Sequence, residues 1–261
     1  MDKAGRVLHL GGERRLGSKF LNSRTASRGA YRRDIDGLRA WAILPVVLFH
    51  GFPDIAPGGF LGVDVFFVIS GFLITRLLLK ESEGAGIDYG AFLMRRLRRL
   101  WSSLALVVII TLLVGLIALT PDRLAELARA ALAAFGLVSN WLFYATAGYF
   151  NPQVEGNLLL HTWSLGVEEQ FYLLYPLVLI GLARRPVLLT PGLAGLWLLS
   201  FALSAQDAVA GAAAGAFFAS HLRAWEVLTG CLLARWAHAG GIDRLAATLG
   251  DRAGAIAHTL S

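Results

Sequence analysis

Apolar runs recur along the whole chain, separated by short polar stretches. Six of them, at 34–53, 59–79, 100–120, 168–184, 187–204 and 222–238, approach the roughly 20 residues a helix needs to cross a bilayer. Together they predict an all-α fold, a polytopic transmembrane bundle of six or seven spans. A seventh stretch, 124–146, is Ala-rich with Arg123, Glu126 and Arg129 near its start. Length alone allows it to span, re-enter or lie along the interface.

Charge arbitrates between these options. Lysine and arginine gather on the cytoplasmic side of membrane proteins. A basic N-terminal tail, Lys80 and the block "RRLRR" (95–99) then share the inside if the first two spans cross out and back. Arg184, Arg185 and Arg235 join them only if 124–146 does not cross, so a non-crossing segment with a cytoplasmic N-terminus is expected. The organisation is a disordered basic tail over 1–30, one membrane domain over 31–238, and a C-terminal cytoplasmic tail over 239–261. The tail "MDKAGRVLHLGGERRLGSKFLNSRTASRGA" has no apolar core and so is not a secretory signal peptide.

Composition supports this picture. Hydrophobic residues make up 56% of the 261 and charged residues 16%, against about 25% charged in soluble domains. The net charge of +6 raises nucleic acid as a partner, but basic residues spaced between apolar runs fit membrane topology instead. The lone Cys231 rules out an intramolecular disulfide and a cysteine metal cluster. We expect it to pack within a helix, and we expect no metal site.

Chemistry concentrates where charge interrupts the apolar runs. "LRAWAILPVVLFH" (38–50) carries Arg39 and His50, eleven residues apart. Eleven steps of about 100° come within about 20° of three turns, so the two share a face, about 16 Å apart along the axis. Ionisable groups at membrane depth face a bundle interior or a wet cavity. One reading has this stripe lining a polar site. The other has Arg39 reaching one headgroup layer while His50 meets the opposite one. Asp64, inside "GGFLGVDVFFVISGFLIT" (58–75), needs a partner or a proton, and Gly58, Gly59, Gly62 and Gly71 beside it permit close helix approach.

Three further clusters follow. Arg95, Arg96, Arg98 and Arg99 suit either a topological stop or a phosphate dock, since guanidinium pairs bidentately with phosphate. "NLLLHTWSLGVEEQFYLLYPL" (157–177) gathers His161, Trp163, Ser164, Glu168 and Glu169 at the mouth of an apolar run; Ser164, Glu168 and Tyr172 fall on one helical stripe. "SHLRAWEVLTG" (220–230) adds Arg223 and Glu226, an i, i+3 pair.

These stretches, in this order, resemble the acyltransferase 3 family of integral-membrane O-acyltransferases over about 31–238. The Arg-x10-His pair of that family falls on Arg39 and His50, its cytoplasmic arginine motif on Arg95, Arg96, Arg98 and Arg99, and its Trp-Ser-Leu…Glu-Glu-Gln-Phe-Tyr element on Trp163 to Tyr172. Two departures stand out. "WSSL" follows the arginines where relatives often have a proline near Ser102, and the chain supplies six or seven spans where the family has about ten.

The resemblance implies a multi-pass enzyme of a bacterial-type cytoplasmic (inner) membrane. It would move an acyl group, commonly acetyl, from acetyl-CoA or another acyl-CoA to a hydroxyl of a surface or secreted glycan or a lipid-linked sugar. No bound cofactor is implied: acyl-CoA is a substrate. His50 is expected as base or acyl relay, with Arg39 in positioning and Asp64 or Glu168 orienting the ring. Arg95, Arg96, Arg98 and Arg99 are expected to hold donor phosphates. His161, Trp163, Ser164, Glu169, Arg223 and Glu226 complete the expected substrate contacts. Two other readings remain open from sequence: a transporter or flippase for a lipid-linked sugar, and an inactive, shortened assembly partner.

Overall fold

The computed structural model describes residues 33–84, 86–146, 156–211, 213–242, 244–245 and 247–248. The expected tail over 1–30 and most of that over 239–261 lie outside them. The chain divides into units Met1–Leu38 and Arg39–Ser261. Of the described residues only 33–38, the start of α1, belong to the first, and the contacts below are within the second.

All regular structure among the described residues is helical. The order is α1 (Arg33–Gly51), a 3-10 turn (Gly59–Leu61), α2 (Gly62–Ser82), α3 (Tyr89–Ala118), α4 (Pro121–Phe135), α5 (Ser139–Thr146), α6 (Thr162–Ala183), α7 (Pro186–Val209), α8 (Ala213–Phe218) and α9 (Ser220–His238). Four segments are long and apolar enough to cross a membrane: Gly59–Ser82, Tyr89–Ala118, Thr162–Leu182 and Pro186–Val209. This is a multi-pass membrane protein. Two of the six expected spans fall below that standard. The apolar part of α1, Gly37–Gly51, is shorter, and α9 carries Arg223, Glu226 and Arg235 within 19 residues.

Two boundaries differ in ways that matter. The expected span at 100–120 begins eleven residues earlier, at Tyr89, because the Asp88 carboxylate caps the helix by accepting from the Ala91 N–H at 2.9 Å. Arg95–Arg99 therefore lie inside α3 rather than in a loop. The span expected from 168 likewise begins at Thr162, which moves Glu168 and Glu169 from a helix mouth to its second turn. The 124–146 stretch breaks into α4 and α5 at Gly136 and Leu137, where Leu137 turns to a φ of 57°. Neither piece is among the four spanning segments.

Helices α2, α6 and α9 run parallel. Ser70 and Thr75 of α2 meet Glu168 and Tyr175 of α6; Asp64 and Glu83, near its two ends, meet Arg223 and His238 of α9. Helix α1 is antiparallel to α2, with Gly59 and Gly62 packed on the carbonyls of Pro45 and Ala42. Gly71 and Gly230 let α2 and α9 touch backbone to backbone: a Cβ on Gly71 would strike the Val227 carbonyl, and one on Gly230 that of Val68. Gly58, expected with this set, has open space around it. Cys231 is buried in the same seam, its Sγ 3.6 Å from the Gly71 carbonyl.

Apolar surface is turned outward. Ile109, Ile110, Leu113, Leu116 and Ile117 of α3 are all exposed, as a lipid-facing helix requires because hydrocarbon solvates them as well as a protein core would. The protein interior holds two apolar clusters, one around Phe67, Trp163 and Val167, the other around Ile74, Tyr175 and Leu179. Ser70 on α2 and Glu168 on α6 fall between them in sequence, and there the polar site is built.

Candidate active site

Glu168 is the hub. Its Oε1 accepts from Ser70 Oγ at 2.5 Å, from Tyr172 Oη at 2.6 Å, and from Arg39 Nη2 at 3.4 Å. Tyr172 follows Glu168 by one helical turn, so α6 itself supplies that donor. The neighbouring Glu169 pairs with Arg96 Nη2 at 3.3 Å, and the Arg96 guanidinium lies 3.5 Å from the centre of the Tyr172 ring. Arg39 also sits over the Phe66 ring, at 4.8 Å. Two arginines and two carboxylates thus enter the bundle as opposed pairs, the form in which low-dielectric surroundings tolerate charge.

Two cavities open on this network. One, of about 290 Å³, is walled by Arg39, Arg95, Arg96, Arg99 and Glu169. The other, of about 300 Å³, is walled by Phe66, Val107, His161 and Ser164. Leu100, Ser103, Leu165 and Glu168 line both. From Arg96 to Val107 along α3 is eleven residues, or about 16 Å of rise.

Of the two expected histidines, His161 lines the second cavity and His50 lines neither. The His50 Nδ1 is 2.8 Å from the Val46 carbonyl. A carbonyl only accepts, so Nδ1 carries the hydrogen and Nε2 keeps its lone pair in the neutral ring. Its side chain is exposed, in the last turn of α1. His161, just before α6, lines the second cavity. Partial withdrawal from water lowers its pKa below the ordinary 6.5, and the nearby His50 charge lowers it further, against an opposing pull from the Leu158 backbone.

The structure thus gathers part of the expected set. Arg39, Glu168, Arg95, Arg96, Arg99, Glu169, His161 and Ser164 border the two cavities, while His50 and Arg98 are exposed outside their lining. Neither carboxylate expected to orient His50 is bonded to it. Asp64 pairs with Arg223 at 2.8 Å and Glu168 with Arg39. Arg223 also holds Glu226 and stands over the rings of Trp163 and Phe217, forming a second, separate ionic cluster. Ser164 Oγ donates to the His161 carbonyl at 3.1 Å and has no base beside it among the described residues.

Sequence reading passed over Ser70, Ser103 and Asn140. Ser70 is a lone hydroxyl in the run between Asp64 and Gly71, which was the available signal. Asn140 is fully buried and bonds Phe218 O, Ser220 and Gln170, a link between α5, α6 and α9 that no local pattern foretells.

An all-helical membrane domain with paired arginines and carboxylates beside its cavities defines an integral-membrane protein with a charged internal site. The chain belongs to the family described as Acyltransferase domain, which matches residues 32–260. It is 37% identical over 210 residues to Peptidoglycan O-acetyltransferase OatA of Listeria monocytogenes, covering 78% of this chain and 34% of that protein. It is 39% identical over 209 residues to O-acetyltransferase OatA of Staphylococcus aureus, with the same coverage of 78% and 34%. A Putative O-acetyltransferase of Staphylococcus aureus is 42% identical over 155 residues, 58% of this chain and 25% of its own. The chain therefore spans about a third of the length of the curated relatives named first. No solved structure matches it.

Proposed function

We propose that this chain forms the membrane part of an O-acyltransferase that moves an acetyl group from acetyl-CoA to a glycan hydroxyl at the opposite membrane face. The observation that carries this reading is the pair of cavities with a common wall: arginines at one end, imidazole at the other. Arg95, Arg96 and Arg99 hold the phosphates of the donor. The acyl arm lies along Leu100, Ser103 and Leu165, so that the thioester reaches the histidines. The positive-inside rule puts the arginine end in the cytoplasm of a cell whose inner membrane holds the protein.

Transfer needs one base and one leaving group. His50, with Nε2 free, removes the acceptor's hydroxyl proton as that oxygen attacks the thioester carbonyl. The C–S bond breaks, an ester C–O bond forms, and the proton ends on the CoA thiol. His161, kept neutral, donates or accepts a hydrogen bond beside it. That the relatives are named for acetylation, one of them of peptidoglycan, supports a cell-wall glycan as acceptor.

The test uses membranes containing the full-length protein, acetyl-CoA and a glycan acceptor. Acceptor-dependent release of CoA thiol is expected, and His50→Ala is expected to abolish it while the protein stays in the membrane. Activity near wild type in that variant would remove His50 from the mechanism. A passage lined by Arg39 and Glu168 also suits a translocation path; transport of a lipid-linked sugar without thiol release would favour that reading.

A further inference from the structure

Glu168 is bonded unevenly. Ser70, Tyr172 and Arg39 all donate to Oε1, and among the described residues Oε2 accepts from none. Ser70 and Tyr172 hold Oε1 at short distance, which leaves Oε2 as the oxygen without a protein donor on a residue that lines both cavities. Glu168 stands on the wall that the two cavities share, between the arginines and His161. A substrate passing from one to the other must run along an apolar wall of Leu100 and Leu165 interrupted by this one fixed acceptor and the Ser103 hydroxyl.

We infer that Glu168 Oε2 accepts a hydrogen bond from an amide N–H of the donor's arm, with Ser70 as the positioning residue that keeps Oε1 turned away. This rests on the acyl-CoA reading above and adds a basis for donor choice. Coenzyme A carries two amides in the arm between its phosphates and its sulfur, whereas a simple fatty acyl chain has no donor to offer. An apolar chain in this passage would leave a buried acceptor without a partner, and discrimination against substrates that lack the matching group is strongest where that happens.

The arrangement can be inverted. In Glu168→Gln the amide oxygen takes the place of Oε1, where three donors demand an acceptor, so the amide NH₂ faces the passage. A site that accepted then donates.

The experiment measures binding of coenzyme A to the purified full-length protein in detergent, by calorimetry. It is repeated with two analogues, each having one arm amide N–H replaced by an ester oxygen. Wild type is expected to bind one analogue about tenfold more weakly than coenzyme A, the size of one hydrogen bond of about 1.4 kcal/mol. Glu168→Gln is expected to lose or reverse that preference. Ser70→Ala is expected to reduce it several-fold, and Ser70→Thr to restore it. Equal binding of all three ligands by wild type overturns the inference while leaving the donor intact. Failure to bind coenzyme A at all overturns both. The wild-type comparison needs no variant to fold.

Discussion

Arg39 Nη2 and Glu168 Oε1 meet at 3.4 Å across 129 residues of sequence, joining the first helix to the sixth inside the bundle. The Glu168 side chain is 6% exposed and that of Arg39 24%. Removing one partner leaves the other's charge in a poorly solvated site, which is where the cost of a broken buried pair arises.

Arg39→Gln should therefore destabilise the protein by about 2–4 kcal/mol, scaled down from a fully buried pair because Arg39 keeps some exposure. Thermal unfolding in detergent measures this. Replacing both residues, Arg39→Met with Glu168→Met, should recover part of the stability, since no charge is then left alone while the buried Ser70 and Tyr172 hydroxyls lose their acceptor. Thiol release should stay lost. Recovery of activity along with stability would reduce the pair to packing.

Arg95 and Arg96 should separate, although they are neighbours in sequence. Arg95 is 56% exposed in its side chain and bonds Glu81 at 2.8 Å; exposed pairs contribute about 0–1 kcal/mol. Arg95→Gln should raise the KM for acetyl-CoA several-fold with little change in kcat or unfolding temperature, the signature of uniform binding. Arg96 is more enclosed, pairs with Glu169 and covers the Tyr172 ring. Arg96→Gln should lower stability as well, and Arg96→Lys should not rescue it, because an ammonium does not reproduce the flat guanidinium stacked on the ring. Identical effects from the two substitutions would contradict this division.

The pH dependence follows from His161. Its pKa is held below 6.5, so the ring stays neutral under conditions in which a solvated histidine begins to charge. An acid limb of the rate profile owed to His161 should fall below pH 6.5. His50→Gln removes one cause of the lowering, and the pH range over which His161 affects stability should move upward toward 6.5. The sign for stability agrees: the unfolded chain takes the proton at 6.5 while the folded chain resists, so stability declines as pH falls from 6.5 to the folded value. A range that stays put in His50→Gln, followed by unfolding against pH, would show that the two rings do not sense each other.

Much of the site was legible from single stretches. Arg39, Glu168, Glu169 and the arginine block are conspicuous because charge inside an apolar run is costly, so each announces itself without a structure. Their pairings were not legible. Asp64 and Glu168 both looked suited to hold His50, and each instead holds an arginine from another helix, since a fixed positive charge is the stronger partner for a carboxylate out of water. Ser70 escaped because a serine in an apolar helix has many ordinary explanations.

Helix limits divide the same way. Hydropathy located the apolar cores but began two of them late: the Asp88 cap starts α3 before its arginines, and α6 takes in the residues from Thr162 before its glutamates. Local periodicity and the cost of charge in hydrocarbon, which depend only on neighbours along the chain, were enough for an all-helical membrane protein with charged groups turned inward. Which carboxylate met which arginine, that three donors converge on one oxygen of Glu168, and that two cavities share a wall there were decided by helices brought together across long stretches of chain. Those contacts depend on distances in space, for which one-dimensional order carries no record.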